Sequence, residues 1–326
     1  MYRLIRRAAV LLIAVLVGSA TLLVVGGILL RQPSIAIVDP AVGERADPAR
    51  LEAHVQFLSE TAAPRDIRHP ETLGKAADYI AEVLSASGAR VEEQHYRAAG
   101  AHCKNIRAVL GPDEGRTLVV GAHYDAFGGS PGADDNASGV AGLLELARLL
   151  GHHPPPIRVE LVAYSTEEPP FFGGPEMGST VHARGLREEG TDVAGMICLE
   201  MIGYYTERQP SPHWIISLIY PRRGDFVVTV GRWQDRSLAR HVKAGIKAAG
   251  GVRSCSYTGP PILGAELSDH RSYWLAGYRA VMVTDTAYIR NPNYHTRGDR
   301  PETLDYVRMA SVVDGVVNSI VGFPLS

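Results

Sequence analysis

Hydrophobic positions change their period several times along this chain, and each change marks an element. The first run, Ala8 to Leu30, is apolar and uncharged throughout, which predicts a helix long enough to cross a bilayer. Leu51, Val55 and Leu58 then recur at helical spacing behind Asp47 and Pro48, which read as N-cap and first helical residue. Leu73, Ala77, Ile80 and Leu84 line one face of a second helix over Glu71 to Ser87, with Gly88 as its stop. Beyond it, short β-branched runs alternate with helical patterns. RTLVVGAH, IRVELVAYS, VAGMICLE and YRAVMVTD predict strands. SGVAGLLELARLL, Asp235 to Ala249 and Asp305 to Val321 predict helices. That alternation predicts an α/β fold with a mostly parallel central sheet and helices on both faces.

The chain thus divides into a cytoplasmic tip and transmembrane signal anchor over 1–33, a linker over 34–46 and one globular domain over 47–326. Arg3, Arg6 and Arg7 precede the apolar run and no acid appears before Asp39. Positive residues stay inside, so everything after Leu30 is expected outside the cytoplasm, periplasmic or extracellular. A cleaved signal peptide is the alternative. Its apolar region usually spans only about 7–15 residues, and the small-residue stretch Gly18 to Ala20 lies in the middle of the run.

With 326 residues, 45% of them hydrophobic, the chain can bury a sizeable core. A formal charge of −2 and the lack of any basic stripe argue against nucleic acid as a partner. Three cysteines make no disulfide framework and no C-x-x-C pair, which removes a thiolate zinc site. Cys198 sits in an apolar run and reads as buried, while a Cys103–Cys255 bridge stays open. The RGD triplets at 223–225 and 297–299 read as coincidence, and the sequon Asn136-Ala137-Ser138 as idle inside its loop. Oligomeric state leaves no mark in the sequence.

In open α/β sheets, ligands bind beyond the carboxyl ends of the strands. His123 ends one predicted strand, Glu167 and Glu168 follow another, and Glu200 ends a third. His295 lies about ten residues past a fourth, and Asp135 lies in the loop before the helix that starts near Ser138. Any one of these alone is an ordinary polar residue. Together they put crowded carboxylates and imidazoles on one rim, where like charges repel unless a cation is present. Carboxylate and imidazole without thiolate suit zinc, manganese or a similar ion. Three carboxylates and two imidazoles exceed the ligand set of one catalytic tetrahedral zinc and suit two ions that share a carboxylate.

GAHYD, PGADDNASG, YSTEE, CLEMIGYY, SDHRSYWLAGY and NYHT occur in the order found in the co-catalytic (di-zinc) aminopeptidase family. The chain resembles the secreted bacterial leucyl aminopeptidases and glutamate carboxypeptidase-type metallopeptidases of that family over most of residues 50 to 326. The resemblance implies two zinc ions bridged by Asp135, with His123 and Glu200 completing one site and Glu168 and His295 the other. It implies Glu167 as the general base and Asp125 as the acid that orients His123. It also implies Tyr294 as a stabiliser of the oxyanion, and a cis peptide between Asp135 and Asn136. The activity implied is a membrane-anchored exopeptidase that attacks a peptide substrate through a metal-bridging hydroxide, an aminopeptidase first. A glutaminyl cyclase-like single-zinc acyltransferase and a carboxypeptidase on the same fold are the alternatives. Two features depart from the family's pattern: Glu200 stands where many members have Asp, and EEPPFFGGPEMGS is a longer link than usual. Ser268-Asp269-His270 offers the ingredients of a nucleophilic triad, but no G-x-S-x-G elbow exists. That segment is expected to line the pocket or to back the metal ligands.

Overall fold

The computed structural model describes residues 2–31, 43–211, 214–260 and 264–324; the first part of the expected linker, residues 34–42, lies outside them. Helix α1, Tyr2–Arg31, carries the long apolar run and exposes it from Ala8 to Val25. It is long and apolar enough to cross a membrane. The last residues of the expected linker are packed against the domain. Glu44 pairs with Arg148 and His152, and the Ala46 amide donates to Asp314 Oδ1 at 2.8 Å.

Asp47 caps α2, Pro48–Gln56, by accepting from the Ala49 amide, and Pro48 takes the first turn as its fixed φ favours. Helix α3, Pro70–Ala86, is followed by Gly88 at φ +81°, a left-handed stop that suits glycine. A hairpin of β1, Arg90–Ala98, and β2, Ala101–Leu110, precedes the buried strand β3, Thr117–His123. Then come α4, Gly139–His152; β4, Arg158–Tyr164; α5, Gly178–Glu188; and β5, Val193–Glu200. The remainder is α6, Trp214–Ile219; β6, Phe226–Gly231; α7, Arg236–Ala249; β7, Arg253–Thr258; α8, His270–Leu275; β8, Ala280–Thr284; and α9, Tyr306–Val321.

The eight strands form one sheet in the order β1-β2-β4-β3-β5-β8-β6-β7. The expectation of a mostly parallel sheet holds only for its centre. Strands β4, β3, β5 and β8 run parallel, as do β6 and β7, but β1–β2, β2–β4 and β6–β8 are antiparallel. Successive side chains alternate between two cores. Leu118, Val120 and Ala122 pack with α2, α4, α7 and α9, whereas Val119, Val162, Met196 and Met282 face the α5 and α8 side. Gly121 is the exception that the packing demands, because a Cβ there would lie 2.3 Å from the Tyr164 ring. All three cysteines are free and buried. Cys103 on β2 and Cys255 on β7 lie near opposite edges of the sheet, so the bridge left open by the sequence does not form.

His270 opens α8 in a dry setting. Its Nε2 donates to the Ala265 carbonyl at 2.9 Å, and its Nδ1 is buried without a partner. Burial holds its pKa down at about 4, against an ordinary value of 6.5. The folded imidazole is therefore neutral where the unfolded one binds a proton. Its contribution to stability is complete above about pH 6.5 and is lost as pH falls toward 4, at about 1.4 kcal/mol per pH unit and about 3 kcal/mol in all. Urea melts of the wild type and His270→Gln at pH 7 and pH 4.5 read this directly. The variant is expected to lose less stability between the two, and equal losses would show that His270 is not the group responsible.

Candidate metal centre

Parallel neighbours put their carboxyl ends in a row, and that row gathers the polar residues. β3 delivers His123 at its last position and β5 delivers Glu200 at its last. After β4 the chain turns at Thr166, which has φ +59°, and presents Glu167 and Glu168. The loop between β3 and α4 brings in Asp135, and the loop after β8 brings in His295. Thr166, Met201 and His295 all hold positive φ although none is glycine. Such backbone is costly for ordinary residues and persists where the surroundings over-determine it. Here it sits at, or one residue from, the polar cluster. The Asp135–Asn136 peptide is cis.

Two triads result, and they share one residue. His123, Asp135 and Glu200 form one, and Asp135, Glu168 and His295 the other. Asp135 Oδ1 lies 3.3 Å from His123 Nε2, while Asp135 Oδ2 lies 3.2 Å from His295 Nε2. Glu200 Oε2 is 3.4 Å from His123 Nε2, and Glu168 Oε2 is 3.2 Å from His295 Nε2. Zinc bonds of about 2.0–2.1 Å at tetrahedral angles require ligand atoms about 3.3 Å apart, so both triads fit zinc. Glu168 Oε1 is also buried with no hydrogen-bond partner, which leaves it free to accept a cation.

Electrostatics support the same fit. Burial resists charge on His123, yet Glu167 and Glu200 outweigh it and raise the imidazole pKa well above normal. Burial is likewise overcome at His295, where Asp135 and Glu168 lift the pKa to about 9. Burial opposes ionisation of Asp135 too, but the two imidazoles hold its carboxyl below the usual range. Burial pushes Glu168 up to about 7 and also raises Glu200. Buried carboxylates and imidazoles that perturb one another this strongly are the donor set that a divalent ion would take.

Glu167 belongs to neither triad. Its Oε2 comes within 4.0 Å of His123 Nε2, and burial raises its pKa well above that of an ordinary carboxyl. Asp125 differs from expectation in its contacts. The ring Nδ1 of His123 meets the Asp125 backbone carbonyl at 3.1 Å and the carboxylate only at 3.4 Å. The carboxylate instead accepts the Glu167 and Glu168 amides, each at 3.1 Å. One residue therefore positions both the histidine and the turn that carries the glutamate pair. His295 is sandwiched between Phe127, at 4.1 Å between centroids, and Tyr294, at 3.7 Å. Burial raises the pKa of the Tyr294 hydroxyl, which keeps it a hydrogen-bond donor.

Further residues support the cluster, and of these Arg65 and Asp299 went unread in the sequence. Asp299, part of the second RGD triplet, is buried and accepts the Asp134 and Asp135 amides at 2.8 and 3.0 Å. Asn136 is buried, donates to the Leu199 carbonyl at 2.9 Å and accepts the Gly139 and Met201 amides, so its side chain is engaged at the start of α4. Ser268 donates to Glu200 Oε2 at 2.7 Å, so the SDH segment reaches the first triad. Arg65 is fully buried beneath the loop and donates to the carbonyls of Leu58, Tyr124, Pro131 and Gly132. Asp134 turns away from the cluster and accepts from the Gly203 amide and Asn291 Nδ2.

Glu200 and Tyr294 border a cavity of about 530 Å³. Its walls are mostly apolar, with Ile216 from α6, Phe226 and Val228 from β6, Tyr257 and Met282 from the strands on either side of β6, and Leu267.

Residues 105–320 match the family described as Peptidase family M28. The chain is 46% identical over 290 residues to the uncharacterized protein YfbL of Escherichia coli (strain K12), covering 85% of this chain and 89% of that one. It is 28% identical over 244 residues to leucine aminopeptidase 1 of Ajellomyces capsulatus, covering 71% of this chain but only 58% of the fungal protein. The crystal structure of Bacteroides thetaiotaomicron glutaminyl cyclase superposes with a TM-score of 0.65 at 20% identity, over 86% of this chain and 99% of that one. At that identity the likeness speaks to the fold alone.

Proposed function

The chain belongs to peptidase family M28 and is a zinc-dependent peptidase, and from that premise we propose that it is a two-zinc aminopeptidase anchored in a membrane. The observation that carries the metal count is the pair of Asp135 oxygens, each facing a different imidazole at 3.2–3.3 Å. His123, Asp135 and Glu200 would hold one ion, and Asp135, Glu168 and His295 the other. Bound there, zinc acidifies water and polarises a carbonyl.

The chain's own residues do the rest. Glu167 belongs to neither triad and is buried beside them, its Oε2 4.0 Å from His123 Nε2, and cations in the two triads would hold its carboxyl ionised and ready to accept a proton. It takes the proton of the attacking water and returns it to the leaving amine. Tyr294 offers its hydroxyl to the oxygen that gains charge as the carbonyl is attacked. The apolar cavity beside Glu200 and Tyr294 receives the side chain of the terminal residue. The single-zinc cyclase reading is the weaker one, because a second complete ligand triad would then have no use. Helix α1 keeps the catalytic domain, 47–326, outside the cytoplasm, with Arg3, Arg6 and Arg7 inside.

The test is hydrolysis of a dipeptide set with free and blocked termini. Dipeptides with a free N-terminus are expected to be cleaved, and N-acylated ones left intact. Burying a leucine side chain in place of alanine contributes about 1.5–3 kcal/mol, so kcat/KM should rise about 10- to 100-fold between the two. Cleavage of N-acylated dipeptides with a free carboxylate would instead establish a carboxypeptidase. Cyclisation of glutaminyl peptides without hydrolysis would establish the transferase.

A further inference from the structure

Helix α6 is uncharged along its whole length, WIISLI, and exposes Trp214 and Leu218. Trp214 is 64% exposed and Leu218 60%. Its other side, through Ile216 and Ile219, lines the cavity beside the metal cluster. Leu267 and Tyr288, also on the cavity wall, are nearly half exposed and extend the apolar surface. Arg208 and Arg222 are exposed in the segments before and after α6, while the neighbouring Arg223 is paired with Glu207 at 2.6 Å. Scattered surface leucines need no explanation, but a contiguous apolar patch with a basic rim marks an interaction surface.

The exit end of α1 lies beside this patch. Among the described residues of α1 only Gly26 and Gly27 are partly buried. A Cβ at Gly27 would stand 3.8 Å from Ile219 Cγ1, at the end of α6. If α1 crosses the bilayer from its arginine-bearing end, Gly26 and Gly27 emerge at the outer surface, and α6 is held there with them. We propose that α6 lies in the outer membrane interface, with Trp214 and Leu218 among the lipid chains and the flanking arginines at headgroup phosphates. Tryptophan prefers that zone because its ring is apolar and its N–H is polar. A short apolar segment with basic flanks binds there by the same balance of burial and charge. The cavity then opens beside the bilayer, which favours apolar peptide ends that partition into the interface. The proposal rests on α1 being a retained anchor.

The test uses the full chain. Cell membranes carrying it are first washed with carbonate, and the chain is then reconstituted in vesicles of phosphatidylcholine and phosphatidylglycerol, with or without brominated acyl chains. Retention through the wash, quenching of part of the tryptophan emission by brominated lipid, and loss of that quenched part in Trp214→Phe are the expected results. Circular dichroism checks that the variant is folded. Retention with no quenching, or with the same quenching in Trp214→Phe, overturns the placement of α6 and leaves the anchor standing. Release of the chain by carbonate overturns both.

Discussion

Replacing Glu167 by glutamine is expected to lower turnover by about 10²- to 10⁴-fold while both metal ions stay in place. The substitution preserves size and removes only the ability to accept a proton. Its cost to folding should be small, because the amide keeps the size and shape of the buried carboxyl. Neither triad includes Glu167, so metal content should not change. KM should also hold, since the group acts on the reacting proton and not on the resting substrate. Its neighbour gives the contrast. Glu168 lies 3.2 Å from His295 in the second triad, so Glu168→Gln should weaken one ion and regain part of its activity in excess zinc. Both amides hang from the same Asp125 carboxylate, so a general disturbance of the turn would affect the two variants alike. Zinc analysis and turnover measured side by side decide between them. A Glu167→Gln enzyme at full activity would end the proposed role, and one that lost zinc while Glu168→Gln kept it would reverse the assignment.

The parts of this molecule that the sequence displays are those governed by local chemistry. Asp47 and Pro48 announce a helix start because capping is decided within a few residues. The strand ends at His123 and Glu200 are legible because buried parallel strands are continuous apolar runs that stop where polarity begins. Strand direction is not legible in the same way, since periodicity reports burial and says nothing of which neighbour a strand meets. β1 shows the difficulty. It is a charged edge strand, RVEEQHYRA, whose partner only the folded sheet identifies. The supports of the site fail for another reason. Arg65 and Asp299 look like solvated charges in the sequence, and each becomes meaningful only when distant segments close over it. Arg65 gathers carbonyls from residues 58, 124, 131 and 132, and Asp299 holds amides more than 160 residues away.

Asp135→Ala should have the largest effect of any single substitution, because Asp135 is the one residue common to both triads. Each of its oxygens faces a separate imidazole, so its loss would remove a ligand from each of the two proposed ions. A site with two remaining protein ligands falls short of the three that catalytic zinc uses. Both ions should therefore dissociate on dialysis, and activity should fall below that of Glu167→Gln. His123→Ala tests whether the loss is specific to sharing. It removes one ligand from the first triad only, so the ion held by Asp135, Glu168 and His295 should remain and the zinc count should fall by about one per chain. The fold should survive in both variants, because the loop amides at Asp134 and Asp135 are held by Asp299 and not by the Asp135 side chain. Elemental analysis of the dialysed proteins, with circular dichroism as the check on folding, measures all of this. One zinc in the wild type, or an unchanged count in Asp135→Ala, would mean that the paired geometry around Asp135 does not hold two ions.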